Sequence, residues 1–167
     1  MNIEPIFPDS DLQVYKVTNV LTEGQVKLLA KLAQGRIPTG FKADELNEAV
    51  SDIRAASIEA CQAIFGMDDL SASEENKRWP WFDLSEGDER GYERNKIFNN
   101  GKAFFAEFVV QSSTNGGETV FKDAENHAIK LAPGEMLVAS RSAGHEVKIA
   151  EIKSGLRFTL MTHVYAK

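Results

Sequence analysis

The sequence predicts an α+β fold in which helices lie on one sheet of a β-sandwich. Three observations predict it. Apolar residues recur at helical spacing through the first part of the chain, as far as Gly66. From Trp79 onward the period shortens to strand-like runs broken by glycine, proline and asparagine turns. The chain has 167 residues, 43% hydrophobic and 26% charged, which suits one soluble domain around one core. That domain is expected to span 1–167, mainly helical over 1–70 and with its β core over 79–167.

The elements follow in order. Leu12 to Leu21 reads as a β-rich segment. Thr22-Glu-Gly-Gln25 is a capping box, in which Thr22 accepts at the helix start and Gln25 reaches back. Val26, Leu29, Leu32 and Ala33 follow at helical spacing, and Gly35 is a stop. A loop with Pro38 and Gly40 covers 36–42. A second helix is expected from Ala43 to Phe65, striped by Leu46, Val50, Ile53, Ile58, Cys61 and Phe65 and ended by Gly66. Phe104 to Val110 is a nearly continuous apolar run, as in a central strand. Asn115-Gly116-Gly117 is a turn signal before Glu118 to Phe121. His127 to Leu131 alternates, Pro133-Gly134 turns the chain before Met136 to Ala139, and Arg157 to Tyr165 is the last strand. No internal repeat, low-complexity segment or interdomain linker is visible.

Charge and composition exclude several functions. A net charge of −6 argues against a broad nucleic-acid footprint, which needs clustered Lys and Arg. Cys61 is the single cysteine, so an intramolecular disulfide and a thiolate zinc cluster are both ruled out; its helical apolar context marks it as a core residue. Met1 to Asp11 does not read as a signal peptide, and no window reaches the roughly 18 apolar residues of a membrane span. A cytoplasmic protein away from membranes and nucleic acid is expected, acting on a small molecule or a peptide.

Three motifs stand in order in the second half: Gly116-Gly117-Glu118-Thr119-Val120-Phe121, then Pro133-Gly134-Glu135-Met136-Leu137-Val138, then Gly144-His145-Glu146-Val147 with Ser154-Gly155-Leu156-Arg157-Phe158. Each alone is common. Together they resemble the C-terminal half of the Fe(II)/2-oxoglutarate dioxygenases, in their prolyl-4-hydroxylase-like branch, and Val20-Leu21-Thr22 is similar to that family's first helix start. The resemblance implies a double-stranded β-helix (jelly roll) with N-terminal helices packed on one sheet. It also implies an Fe(II)- and 2-oxoglutarate-dependent hydroxylase.

The family's iron is held by two histidines and one carboxylate on one face, which leaves positions open for the 2-oxo acid and dioxygen. By resemblance His145 is the later histidine ligand. Arg157 is the residue that holds the distal carboxylate of 2-oxoglutarate, a task for which a planar guanidinium is suited. Taken singly, a histidine beside glycine is commonly a solvated loop residue and a strand arginine a surface residue; the ordered motifs favour the site for both.

The family's first ligands come as His-x-Asp, yet no histidine precedes His127. The nearest counterpart is Pro80-Trp81-Phe82-Asp83, with Asp83 as the carboxylate and Trp81 in the histidine's place. An indole N–H donates but cannot ligate a metal. The alternative for Trp79, Trp81 and Phe82 is a packed aromatic cluster. Period-2 alternation puts Arg157, Thr159, Met161 and His163 on one strand face, with Phe158, Leu160 and Val164 on the other. The resemblance adds a role, since the superfamily's nucleic-acid-repair branch carries a second arginine at this six-residue offset that helps hold the co-substrate: His163 is a candidate for that task or for the metal, with an ordinary inward polar residue as the alternative, and Thr159 is a pocket residue. His127 is expected on a strand surface. Substrate choice is assigned to the polar loop from Ser85 to Gly101. The expectations are then a hydroxylase using Asp83 and His145 for iron and Arg157 for 2-oxoglutarate, or a metal-poor binding or regulatory module keeping a carboxylate pocket. A weaker third is a cupin-like binder of a sugar or other small molecule.

Overall fold

The computed structural model describes residues 1–35, 43–72, 81–93, 103–124, 127–140 and 146–166. The chain opens with strands β1 (Asn2–Pro5) and β2 (Val14–Thr18), followed by helices α1 (Glu23–Ala33) and α2 (Ala43–Phe65). Short strands β3 (Leu70–Ala72), β4 (Trp81–Leu84) and β5 (Arg90–Glu93) lead to the long β6 (Ala103–Gln111). Then come β7 (Asn115–Gly116), β8 (Thr119–Phe121), a 3-10 turn over Lys122–Ala124, β9 (Ala128–Ile129), β10 (Met136–Ser140), β11 (Val147–Ile149), β12 (Ile152–Ser154) and β13 (Arg157–Ala166).

The helices form where capping and apolar spacing place them. Thr22 accepts from the Gln25 backbone N–H while the Gln25 side chain accepts from the Thr22 N–H, a complete capping box. The end of α1 is marked by Gly35 at φ +68°, and Gly66 at φ +63° follows α2, both in the left-handed region that glycine enters without strain. Cys61 is fully buried, as its place in the stripe implied.

The strands make antiparallel sheets. A seven-stranded sheet runs β1-β2-β10-β6-β13-β3, with β4 also on β13. A four-stranded sheet runs β5-β11-β8-β9, and β12 pairs with β7. Strands β3 and β4 share one edge of β13: Val164 to Ala166 pair with β3, Arg157 to Leu160 with β4.

Strand β6 reads as almost continuously apolar because both its faces are buried. Phe104, Ala106, Phe108 and Val110 join a cluster with Leu29 of α1 and Ile53 of α2. Phe105, on the opposite face, clusters with Val14 and Leu137 of the large sheet and with Phe121 and Ile129 of the small one. The two sheets therefore bury residues against each other on the side away from the helices.

Three details differ from the sequence reading. The first residues, to which the sequence assigned no element, form β1, which pairs along β2 from Asn2↔Thr18 to Pro5↔Tyr15, an edge where proline is tolerated. Asn115-Gly116 is not only a turn: it pairs with β12, and Gly116 and Gly117 follow each other at φ +75° and +74°. The supposed Ser85–Gly101 loop contains β5, paired with β11 through the backbone, which its polar composition did not disclose. Residues 94–101 of that loop, like the loop over 36–42, lie outside the described residues.

Candidate functional site

The site is built on the alternation of β13. Phe158, Leu160 and Val164 belong to the helix-side cluster, so Arg157, Thr159, Met161 and His163 present the opposite face. Arg157 is 6% exposed and Thr159 fully buried. On β6, the alternation that sends Ala106 and Phe108 to the helices sends Glu107 to the same side as Arg157.

A charged group buried in an apolar layer is tolerated only when paired and hydrogen-bonded. Arg157 Nη2 donates to Glu107 Oε1 at 2.8 Å and to Thr119 Oγ1 at 3.2 Å. Thr159 Oγ1 donates to the same Glu107 oxygen at 3.0 Å. Arg157, Thr159 and Glu107 come from the large sheet and Thr119 from β8 of the small one, so the group joins the two layers. The ion pair is formally neutral and closed to bulk water.

Glycine at 117 makes room for it. A Cβ there would meet Ser113 Oγ at 2.6 Å, the Ile152 side chain and the aliphatic stem of Arg157. Ser113 Oγ donates to the Gly116 carbonyl at 2.6 Å, and Lys130 Nζ reaches the same carbonyl at 3.1 Å. Beside Arg157 and Glu107 remains a cavity of about 10 Å³, bordered by Val109, Gly117, Thr119 and Ile129. That is room for about one water. Ile129 and Leu131 also border a second, open groove of about 540 Å³, where Phe7, Lys16 and His127 lie.

The other sequence-predicted residues are placed as follows. His163 sits opposite Phe105 on the Arg157 face, half-buried with Nδ1 fully enclosed. At about 3.3 Å per residue its Cα lies roughly 20 Å along the strand from that of Arg157. Asp83 is exposed and pairs with Phe158, whereas Arg157 pairs with Leu84. Paired residues share a face, so Asp83 points away from the inter-sheet space and Leu84 into it, where Leu84 clusters with Ile149 and Ile152. The structure thus does not bring Asp83 together with Arg157. The backbone of Trp81 pairs with Leu160. His145 lies outside the described residues. His127 is exposed, edge-on to Phe7 at 5.8 Å.

Two residues of the site were not singled out from the sequence, Glu107 and Thr119. Glu107 left a signal: it is the one carboxylate inside the apolar run from Phe104 to Val110, and a charge there demands a partner. Thr119 left none beyond its place in the Gly-Gly-Glu-Thr motif.

No family model matches the chain, and no curated protein matches it in sequence. Solved structures do match in fold. A viral collagen prolyl hydroxylase from Paramecium Bursaria Chlorella virus-1, in its 2OG complex, superposes with a TM-score of 0.69 at 12% identity, covering 93% of this chain and 96% of that one. A Pseudomonas putida prolyl-4-hydroxylase gives 0.61 at 12% identity, covering 94% of each. HygX from Streptomyces hygroscopicus, with nickel and 2-oxoglutarate bound, gives 0.59 at 8%, covering 100% of this chain and 87% of that one. The chain therefore has the antiparallel, sheet-rich α+β fold of 2-oxoglutarate/Fe(II) oxygenases; at these identities the likeness speaks for the fold alone.

The described residues fit those groups unequally. Arg157 has the chemistry to hold a carboxylate, but one from its own chain already occupies it. For the metal, no set of three His, Cys, Asp or Glu side chains is gathered among the described residues. Of the two expected donors, Asp83 lies on the face away from Arg157 and His145 is outside the described residues, so the chemistry that follows runs through Arg157. No helix among the described residues is long and apolar enough to cross a membrane.

Proposed function

We propose that this chain is a 2-oxoglutarate/Fe(II)-oxygenase-like protein on a double-stranded β-helix, with a carboxylate pocket built on Arg157 as its working centre. One observation carries the reading. A buried arginine stands on the last long strand, between two sheets arranged as in oxygenases, with hydroxyls from both sheets around it. A guanidinium offers a planar fork of N–H donors, and a carboxylate is its natural complement. The low-dielectric setting strengthens that recognition, since water competes poorly there.

In this reading Arg157 binds the distal carboxylate of 2-oxoglutarate, Thr119 and Thr159 fix its angle, and the surrounding apolar side chains exclude water. Bound iron would supply dioxygen activation and hydroxylation of a small-molecule or protein substrate. Titration of the protein with 2-oxoglutarate by calorimetry, alongside succinate detection with added Fe(II), tests both parts. Binding that vanishes in Arg157→Ala supports the pocket, and succinate formation supports the oxygenase. Because Glu107 already sits on Arg157, failure of both the folded parent and a folded Glu107→Gln variant to bind 2-oxoglutarate refutes the pocket.

A second reading is a metal-poor binding module that keeps the pocket without the oxidation. It is favoured by the exposed, outward Asp83 and by the lack of any histidine before His127. Carboxylate binding with no succinate under excess Fe(II) selects it.

A further inference from the structure

We infer that Glu107 is a built-in occupant of the Arg157 anchor, so that a ligand carboxylate binds only by displacing it; this rests on the carboxylate-pocket reading above. Glu107 presents to Arg157 the group that a dicarboxylic acid would present, at 2.8 Å. It does so from β6, so its effective concentration at the guanidinium is that of a tethered ligand rather than a dissolved one. The space beside the pair, about 10 Å³, admits about one water and no dicarboxylate while Glu107 is in place.

Displacement is sterically feasible. Glu107 has a flexible stem, and its partner across the strands is Met161, an adaptable side chain that is only half-buried. Ile129 and Leu131 line both the closed cavity and an open groove of about 540 Å³. Among the described residues the pair meets through Nη2 and Oε1. A ligand carboxylate meeting the guanidinium edge to edge in its own plane gains a second parallel bond, the advantage it needs over Glu107. Glu107 thereby sets what the pocket accepts. Neutral ligands cannot displace it, and anionic ones bind with an affinity reduced by the fraction of time Glu107 is away.

The test is a metal-free titration of the full chain with 2-oxoglutarate, comparing the parent with Glu107→Ala and Glu107→Gln. Circular dichroism establishes that each is folded. Both variants are expected to bind at least tenfold more tightly than the parent, and Arg157→Ala in either background to abolish binding. Acetate should raise the melting temperature of Glu107→Ala and leave the parent unmoved. Should Glu107→Ala be unfolded, Glu107→Gln keeps the volume, and the parent gives a second measurement: the Arg157 Nε resonance should shift as 2-oxoglutarate saturates. Equal affinity in parent and variants overturns the inference while leaving the anchor intact, provided Arg157→Ala loses binding. No binding by any folded variant overturns the inference together with the pocket beneath it.

Discussion

Removing one member of the Arg157–Glu107 pair should be far more harmful than removing both. The two side chains are 8% and 5% exposed, so neither charge can turn to water once its partner is lost. In Arg157→Met the Glu107 carboxylate would keep only the Thr159 hydroxyl; in Glu107→Leu the guanidinium would keep only Thr119. Stranding a buried charge in this way costs about 3–5 kcal/mol. At about 2–4 °C per kcal/mol for a chain of this size, each single variant should melt roughly 6–20 °C below the parent. The double variant Glu107→Leu/Arg157→Met strands no charge and fills similar volume, so it should melt above either single one. Calorimetric melting of all four proteins closes the cycle. The shifts should survive 1 M NaCl, because ions do not screen a buried pair as they do an exposed one. Singles that each lose less than about 1 kcal/mol, or a double equal to their sum, would refute the picture of a dry, mutually dependent pair.

Two further predictions concern the framework. Gly116→Ala puts a Cβ against the Glu151 carbonyl and 2.9 Å from the Lys153 nitrogen at φ +75°; a loss of about 3 kcal/mol is expected from strain and displaced backbone, whereas Gly24→Ala, with nothing within 4 Å, should stay within about 1 kcal/mol of the parent by the same melting assay. Burial pushes the Cys61 thiol up to about 12, so an aromatic disulfide reagent at pH 8 should label it only after denaturation. Because burial raises this group, its contribution to stability is fully present below the ordinary thiol range and is lost as pH climbs towards 12. Prompt labelling of the native protein would show that Cys61 is not in the core.

The helices were legible because their signals are local. Thr22 and Gln25 are three residues apart, and the stripe from Leu46 to Phe65 closes on itself every turn. The long strands were legible because burial on two faces leaves an apolar run, as in β6. The edge strands β1 and β5 were not, since they are held by backbone pairing that polar side chains conceal. The site divides in the same way. Arg157 and Thr159 could be put on one face by counting in twos. Asp83 could not be oriented by counting, because its face depends on which residue of β13 it meets, and that register is a property of the assembled sheet. Glu107 announced itself as an anomaly, but only the fold names its partner.

The bond from Arg157 to Thr119 passes from one sheet to the other. Its length makes it a gauge of how far apart the two layers stand at this end of the molecule. A bulkier group at 119 would wedge them open, while serine in its place would keep the spacing. A change in what the guanidinium holds would therefore bear first on β8, the strand that pairs with β9 and β11.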